Sequence, residues 1–356
     1  MNEIRPLTGV RGFAALWVVL YHLRPTIKLA YPDFPSLHHF VGAGYLGVDL
    51  FAFLSGFIIS YTYGEKLGKW DAMATRRYLW LRFVRTYPLH LFVLFLFVIL
   101  FVRDRGVGSL AVLPYDMSFI RQLFLLNGLG LEDRWAWNVP SWSLSSEWFC
   151  YLCFPLFIPF INRIRSGWLA LLLAGIAVLV TAFLLAQVGR PRFDAYLDWG
   201  LLRIGGEFVA GCFLCRAYRA GTFKNNYSGV IGFAALVYFP IQTAFSPAMP
   251  VVLVVLAFAL LIYTLAFSKQ PLMFLFGNPL SVYLGKISYS IYMVHWFYLA
   301  DLSIFGFDEL PISMRVWVIL AVVILTSMMT YHFVERTSSK YMRGLFLPGN
   351  PKRPQA

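Results

Sequence analysis

Residues 11–22 read RGFAALWVVLYH: an arginine, ten mostly apolar residues and a histidine. Two costly polar side chains bracket a segment that otherwise belongs in hydrocarbon. Whether this stretch is a soluble core helix or a membrane helix decides the fold, and the rest of the chain supplies the answer. Of the 356 residues, 59% are hydrophobic and 13% charged, where a soluble domain carries about 25% charged residues. Mean hydropathy is +0.67. The apolar residues come in long blocks separated by short charged connectors, the pattern of a polytopic membrane protein.

A spanning helix needs about 20 predominantly apolar residues. Ten blocks meet or approach that length, near 8–23, 45–63, 80–102, 143–161, 167–187, 200–218, 228–245, 249–268, 286–304 and 314–334. None alternates as a strand would, so the expected fold is an all-α integral membrane bundle of about ten transmembrane helices. The first block is short, but its flanks lack the small-residue cleavage site of a signal peptide, so it reads as a retained helix. One transmembrane domain over 1–340 and a short cytoplasmic tail at 341–356 are expected.

Most of the 30 Lys and Arg fall in inside connectors if the N-terminus is cytoplasmic, and the acidic connector near 301–313 falls outside. Both termini are therefore expected inside. The net charge of +13 is then largely membrane-facing bias, with no nucleic-acid partner implied. The cysteines form two C-x-x-C pairs, Cys150/Cys153 and Cys212/Cys215, at different expected depths. They read as packing, and no metal site is expected.

Arg11 and His22 share one helix face. Eleven residues make three turns plus about 20°, and they span about 16 Å along the axis. Polar side chains within a membrane face a cavity or a partner, which makes them functional candidates by default. Snorkelling by Arg11 and a structural hydrogen bond at His22 are the plainer alternatives. Three further stretches add candidates. In RRYLWLRFVRTYP, 76–88, Arg82 and Arg85 lie three apart on one face, deep enough to suit a phosphate-bearing ligand rather than simple anchoring. In VPSWSLSSEWFCYL, 139–152, Glu147 has no charged neighbour in sequence. In GKISYSIYMVHW, 285–296, Tyr289, Tyr292 and His295 share a helix, for a site or for structure.

Taken together, these stretches closely resemble membrane acyltransferase family 3, the bacterial O-acyltransferases of polysaccharides, lipopolysaccharide and related glycans. The resemblance runs nearly end to end through RGFAALWVVLYH, GYLGVDLFAFLSGFIIS at 44–60, LRFVRTYP at 81–88, WSLSSEW at 142–148, GKISYSIYMVHW and FVERTSSK at 333–340. The family's arginine, ten residues and histidine fall on Arg11 and His22, and its R-x-x-R falls on Arg82 and Arg85. At 51–54 this chain reads FAFL where the family often has FFVL. Some members append an extracytoplasmic SGNH-type esterase-like domain, for which the short tail expected here leaves no room.

The resemblance implies acyl transfer, most often of acetyl, from cytoplasmic acyl-CoA to a hydroxyl of an exopolysaccharide, a lipopolysaccharide or its lipid-linked precursor, in the bacterial inner membrane. No permanently bound cofactor is expected; acetyl-CoA or another acyl-CoA is the donor, and lipids and the glycan are the partners. Arg11, Arg82 and Arg85 would hold the donor. His22 would act as base, with Glu147 or Asp49 steadying its imidazolium, or would itself carry the acyl group. Trp135, Asn138 and Trp142 in the richest outside segment, with Tyr289 and His295, are candidates for lining the acceptor site, although tryptophan also belongs to the interfacial belt. The rival class is a transporter or flippase of a glycan or small anion; a scaffold would leave His22 without a task.

Overall fold

The structure is a computed structural model that describes residues 3–132, 134–223, 227–245 and 250–346. Among these residues it is all helical, with no strand. Each apolar block of the sequence falls on a long helix: Arg5–His22 (α1), Gly47–Tyr63 (α2), Ala72–Arg105 (α3), Ser141–Arg163 (α4), Gly167–Gln187 (α5), Gly200–Arg219 (α6), Ser228–Phe245 (α7), Val251–Leu265 (α8), Pro279–Leu299 (α9) and Ile312–Thr330 (α10). Local chemistry sets several of the starts. Asp71 accepts hydrogen bonds from the Met73 and Ala74 amides at the start of α3, Ser166 from Leu169 at α5, and Asn278 from Ser281 at α9, each satisfying amides that have no partner within the helix.

Among the described residues, five helical stretches are long and apolar enough to cross a membrane by length and composition: Pro35–Tyr63, Ala72–Arg105, Ser141–Arg163, Gly167–Gln187 and Ile312–Gly344. Helices α1, α6 and α9 carry Arg11, Arg203, Glu207 and His295, which lower their hydropathy. They also lie inside the bundle, where polar residues find partners rather than lipid.

Packing has the inside-out character of a membrane bundle. Helix α5 buries Gly167, Ala170, Ala174, Val178 and Thr181, while Trp168, Leu172, Ile176, Leu179 and Phe183 point outward. Small residues face the protein and large apolar ones face out, the arrangement lipid favours. Helix ends and neighbouring connectors meet at two ends. The Asn162 amide donates to the Gly64 carbonyl (2.7 Å) and Arg219 pairs with Glu65 (2.8 Å) at one end. Tyr45 donates to the Arg192 carbonyl (2.7 Å) and the Gly130 amide to the Leu197 carbonyl (2.9 Å) at the other.

The pairing that matters most for the site is α1 against α9. A Cβ on Gly285 would overlap the Thr8 carbonyl oxygen, and one on Gly12 would overlap Leu284 and the Gly285 amide. Only glycine lets these backbones come so close. Helices α1 and α9 run side by side and parallel, so the contact at Gly12 and Gly285 is followed further along by one between His22 and His295.

Candidate active site

Five helices enclose a cavity of about 120 Å³: Arg11 comes from α1, Phe51 and Ser55 from α2, Arg82 and Arg85 from α3, Glu147 and Tyr151 from α4, and Tyr289 and Tyr292 from α9. The three arginines singled out from sequence thus converge on one space. Their circumstances differ. Arg85 forms an ion pair with Glu335, itself 4% exposed, and lies over the Tyr289 ring at 5.7 Å. Ser290 Oγ donates to the other Glu335 oxygen at 3.2 Å. Arg82 instead donates to the Tyr63 hydroxyl (3.0 Å), and its buried Nε has no partner among the described residues. Arg11 makes no hydrogen bond or ion pair among the described residues; the charges acting on it are those of Arg85, Glu147 and Glu335.

With Arg85 and Glu335 mutually neutralised, the cavity holds Arg11 and Arg82 against the single carboxylate of Glu147. A guanidinium that lines a cavity without a protein acceptor is placed for an anionic ligand. Glu335 was not singled out from sequence, although it lies in the closing FVERTSSK stretch at the edge of the last apolar block. The turn Tyr331–Arg336 is π-helical. The added residue per turn rotates the following side chains, which brings Glu335 onto the face that meets α3.

His22 closes α1 at its C-terminus, where the helix dipole favours positive charge. Its Nδ1 lies 3.1 Å from the Val18 carbonyl oxygen and 3.1 Å from His295 Nε2. His295 is fully buried, and its Nδ1 lies 3.2 Å from the Ile291 carbonyl oxygen. The expected carboxylate partner of His22 is therefore absent from its contacts among the described residues: a second imidazole takes that place. Trp296 meets the His22 ring edge-on at 5.1 Å.

Asp49 is committed elsewhere. Arg203 donates to both of its oxygens, Nε at 3.1 Å and Nη2 at 2.5 Å, and both residues are fully buried. The same guanidinium donates to the Tyr45 and Ala195 carbonyls and lies 5.6–5.8 Å from the rings of Tyr45, Trp142 and Tyr196. Glu207, one turn further along α6, is fully buried against Asp49. Desolvation of a lone carboxylate is the physical reason: at this depth Asp49 needs a cation directly upon it. Arg203 and Glu207, four residues apart inside an apolar block, were the overlooked sequence signal.

Of Trp135, Asn138 and Trp142, Trp135 alone stands open, 51% exposed, and it meets Tyr196 edge-on at 5.7 Å. Trp142 is 4% exposed within the Arg203 cluster, and Asn138 is fully buried, donating to the Met293 carbonyl at 3.3 Å. Neither presents a surface to a sugar: Trp142 opens α4 inside the bundle, and Asn138 holds the preceding turn against α9. Tyr196 continues to Tyr21 (hydroxyls 3.5 Å apart), whose ring lies 5.0 Å from that of His22.

Tyr292 stands between the arginine cavity and the histidine pair. It lines the cavity, its hydroxyl donates to the Pro140 carbonyl (3.0 Å), and its ring lies 5.9 Å from His295 and 5.8 Å from Phe51.

Residues 5–332 match the sequence model described as the acyltransferase domain of acyltransferase family 3. The chain is 29% identical to "Acyltransferase MdmB" of Streptomyces mycarofaciens over 82% of this chain and 77% of that protein. It is 24% identical to "O-acetyltransferase OatA" of Staphylococcus aureus (strain NCTC 8325 / PS 47) over 96% of this chain, and spans 58% of that longer protein. No solved structure matches the chain. With helices apolar enough for a membrane and a family match that takes in every candidate residue except Glu335, this chain belongs to acyltransferase family 3.

Proposed function

We propose that the protein is an acyl-CoA-dependent O-acyltransferase, in the simplest case an O-acetyltransferase. It would act on a hydroxyl of a cell-surface or secreted polysaccharide or of its lipid-linked precursor. The observation that carries this reading is the placement of two unneutralised arginines, Arg11 and Arg82, on a cavity whose helix α1 ends, about 16 Å further on, in the half-buried His22. The donor's phosphates suit the guanidinium forks. The pantetheine arm would run from this cavity past Phe51 and Tyr292 toward His22.

There His22 takes the proton from the acceptor hydroxyl while that oxygen bonds to the thioester carbon. The carbon–sulfur bond then breaks and the thiolate recovers the proton from His22. The α1 C-terminus offsets the positive charge held by the imidazole between these steps. Attack by His22 on the thioester, giving an acyl-histidine, is the alternative route through the same atoms. Both termini would lie in the cytoplasm, which places the arginine end on the side of the acyl-CoA pool and the open Trp135 end toward an acceptor outside. In a bacterium that membrane would be the inner membrane.

Incubating the purified full chain with radiolabelled acetyl-CoA and candidate glycans tests the reading. Label entering a glycan supports it. Thioester left intact with every acceptor, together with solute movement in proteoliposomes, would favour a transporter.

A further inference from the structure

We infer that His295 is a positioning residue that sets which nitrogen of His22 is free to react, the two imidazoles working as a dyad in place of the expected histidine–carboxylate pair. The inference deepens the acyltransferase reading and rests on it for its catalytic consequence, though not for its geometry.

A backbone carbonyl only accepts. His295 Nδ1, 3.2 Å from the Ile291 carbonyl oxygen, must therefore carry that ring's proton when the ring is neutral, which leaves Nε2 as a lone-pair acceptor. Nε2 faces His22 Nδ1 at 3.1 Å. Two facing lone pairs would repel, so His22 Nδ1 carries the hydrogen and donates it. The Val18 carbonyl oxygen, also 3.1 Å from His22 Nδ1, makes the same demand. Every acceptor that meets this nitrogen agrees. His22 Nε2 is consequently the unprotonated nitrogen, and no hydrogen bond engages it among the described residues.

The groups around the pair leave this assignment standing. Arg24 and Tyr21 flank His22, with the Arg24 guanidinium over the Tyr21 ring at 4.1 Å. Trp296 meets the His22 ring edge-on and Tyr292 adjoins His295. None offers a carboxylate. When His22 Nε2 gains the acceptor's proton, the Nδ1–H bond to His295 becomes charge-assisted and strengthens. His295 thereby favours the charged intermediate and holds the ring so that Nε2 faces the incoming hydroxyl. The Gly12–Gly285 contact between α1 and α9 is what brings the rings together.

The test has two parts. Nitrogen-15 NMR of the full chain, with labelled histidine and the six histidines assigned by single substitution, reads the tautomers without any substrate. A protonated Nδ1 and bare Nε2 at His22, with a bare Nε2 at His295, is expected; a proton on Nε2 of neutral His22 overturns the dyad. The second part is kinetic. His295→Phe keeps the ring volume but offers no acceptor, and should lower kcat about 10–100-fold, the usual size for loss of an orienting partner, with the KM for acyl-CoA unchanged. His295→Gln offers an amide oxygen and should recover part of the loss. Wild-type kcat in the Phe variant, or folded Gln and Phe variants of equal activity, overturns the positioning role. Because the NMR part needs no acyl transfer, a failure of the proposed function is told apart from a failure of the dyad.

Discussion

Arg85 is tied to Glu335 by an ion pair across 250 residues of chain, while Arg82, one turn away on the same helix, pairs with no carboxylate among the described residues and donates to the Tyr63 hydroxyl. The two arginines of one motif therefore have different work to do. Arg82→Ala should weaken acyl-CoA binding with little loss of stability, and Arg82→Lys should rescue only partly, since lysine lacks the planar fork. Arg85→Ala strands the buried Glu335 and should cost about 3 kcal/mol of stability. The double change Arg85→Gln with Glu335→Gln should restore much of that. Calorimetric binding of CoA alongside thermal unfolding separates the two effects; equal loss of CoA affinity with unchanged melting in both single variants would contradict the division.

His22→Ala should reduce transfer by about 10²–10⁴, the typical contribution of a general base. The variant should still insert, melt normally and bind acyl-CoA, because the arginine cavity lies more than two turns away along α1. Turnover near the wild-type rate would remove His22 from the mechanism.

Asp49 separates a structural from a catalytic role. Its carboxylate is saturated by Arg203 in a fully buried pair, and breaking such a pair costs about 3–5 kcal/mol. Asp49→Asn should therefore lower the melting temperature sharply, while the fraction that stays folded turns over at close to the wild-type rate. A folded, normally stable variant with abolished turnover would return Asp49 to the reaction.

The glycine contact between α1 and α9 should tolerate no side chain. Gly285→Val drives a Cβ into the Thr8 carbonyl oxygen, forcing the helices apart and separating His22 from His295. Loss of both stability and transfer is expected, measured by detergent-resistant monodispersity and by label incorporation. A Val variant that is stable and active would mean that the helices pack less closely than described.

Sidedness decides whether the arginine end meets the acyl-CoA pool. After replacement of the four native cysteines, a cysteine at the exposed Lys269 position should resist a membrane-impermeant thiol reagent in intact cells, and one at the exposed Asp308 position should label readily. The reverse pattern would place Arg11 and Arg82 away from acyl-CoA and sink the proposed mechanism.

Length and composition mark five stretches among the described residues as able to cross a membrane, against about ten expected. The all-helical fold, the shared face of Arg11 and His22, and the place of Arg82 and Arg85 within the apolar run were legible in the sequence. The reason is that hydropathy and the 3.6-residue period are local properties: a block of apolar residues must be helical in lipid, and helical spacing alone decides which of its residues share a face. Partnership is not local. That His22 answers to His295, Arg85 to Glu335 and Asp49 to Arg203 depends on which helices touch and at what height. Glycines that admit close backbone contact and a π-turn that rotates Glu335 set those relations, and neither leaves a mark in hydropathy. A buried carboxylate announces that it needs a cation; only the tertiary structure decides which one, because every candidate lies far away in sequence and the choice is made by packing.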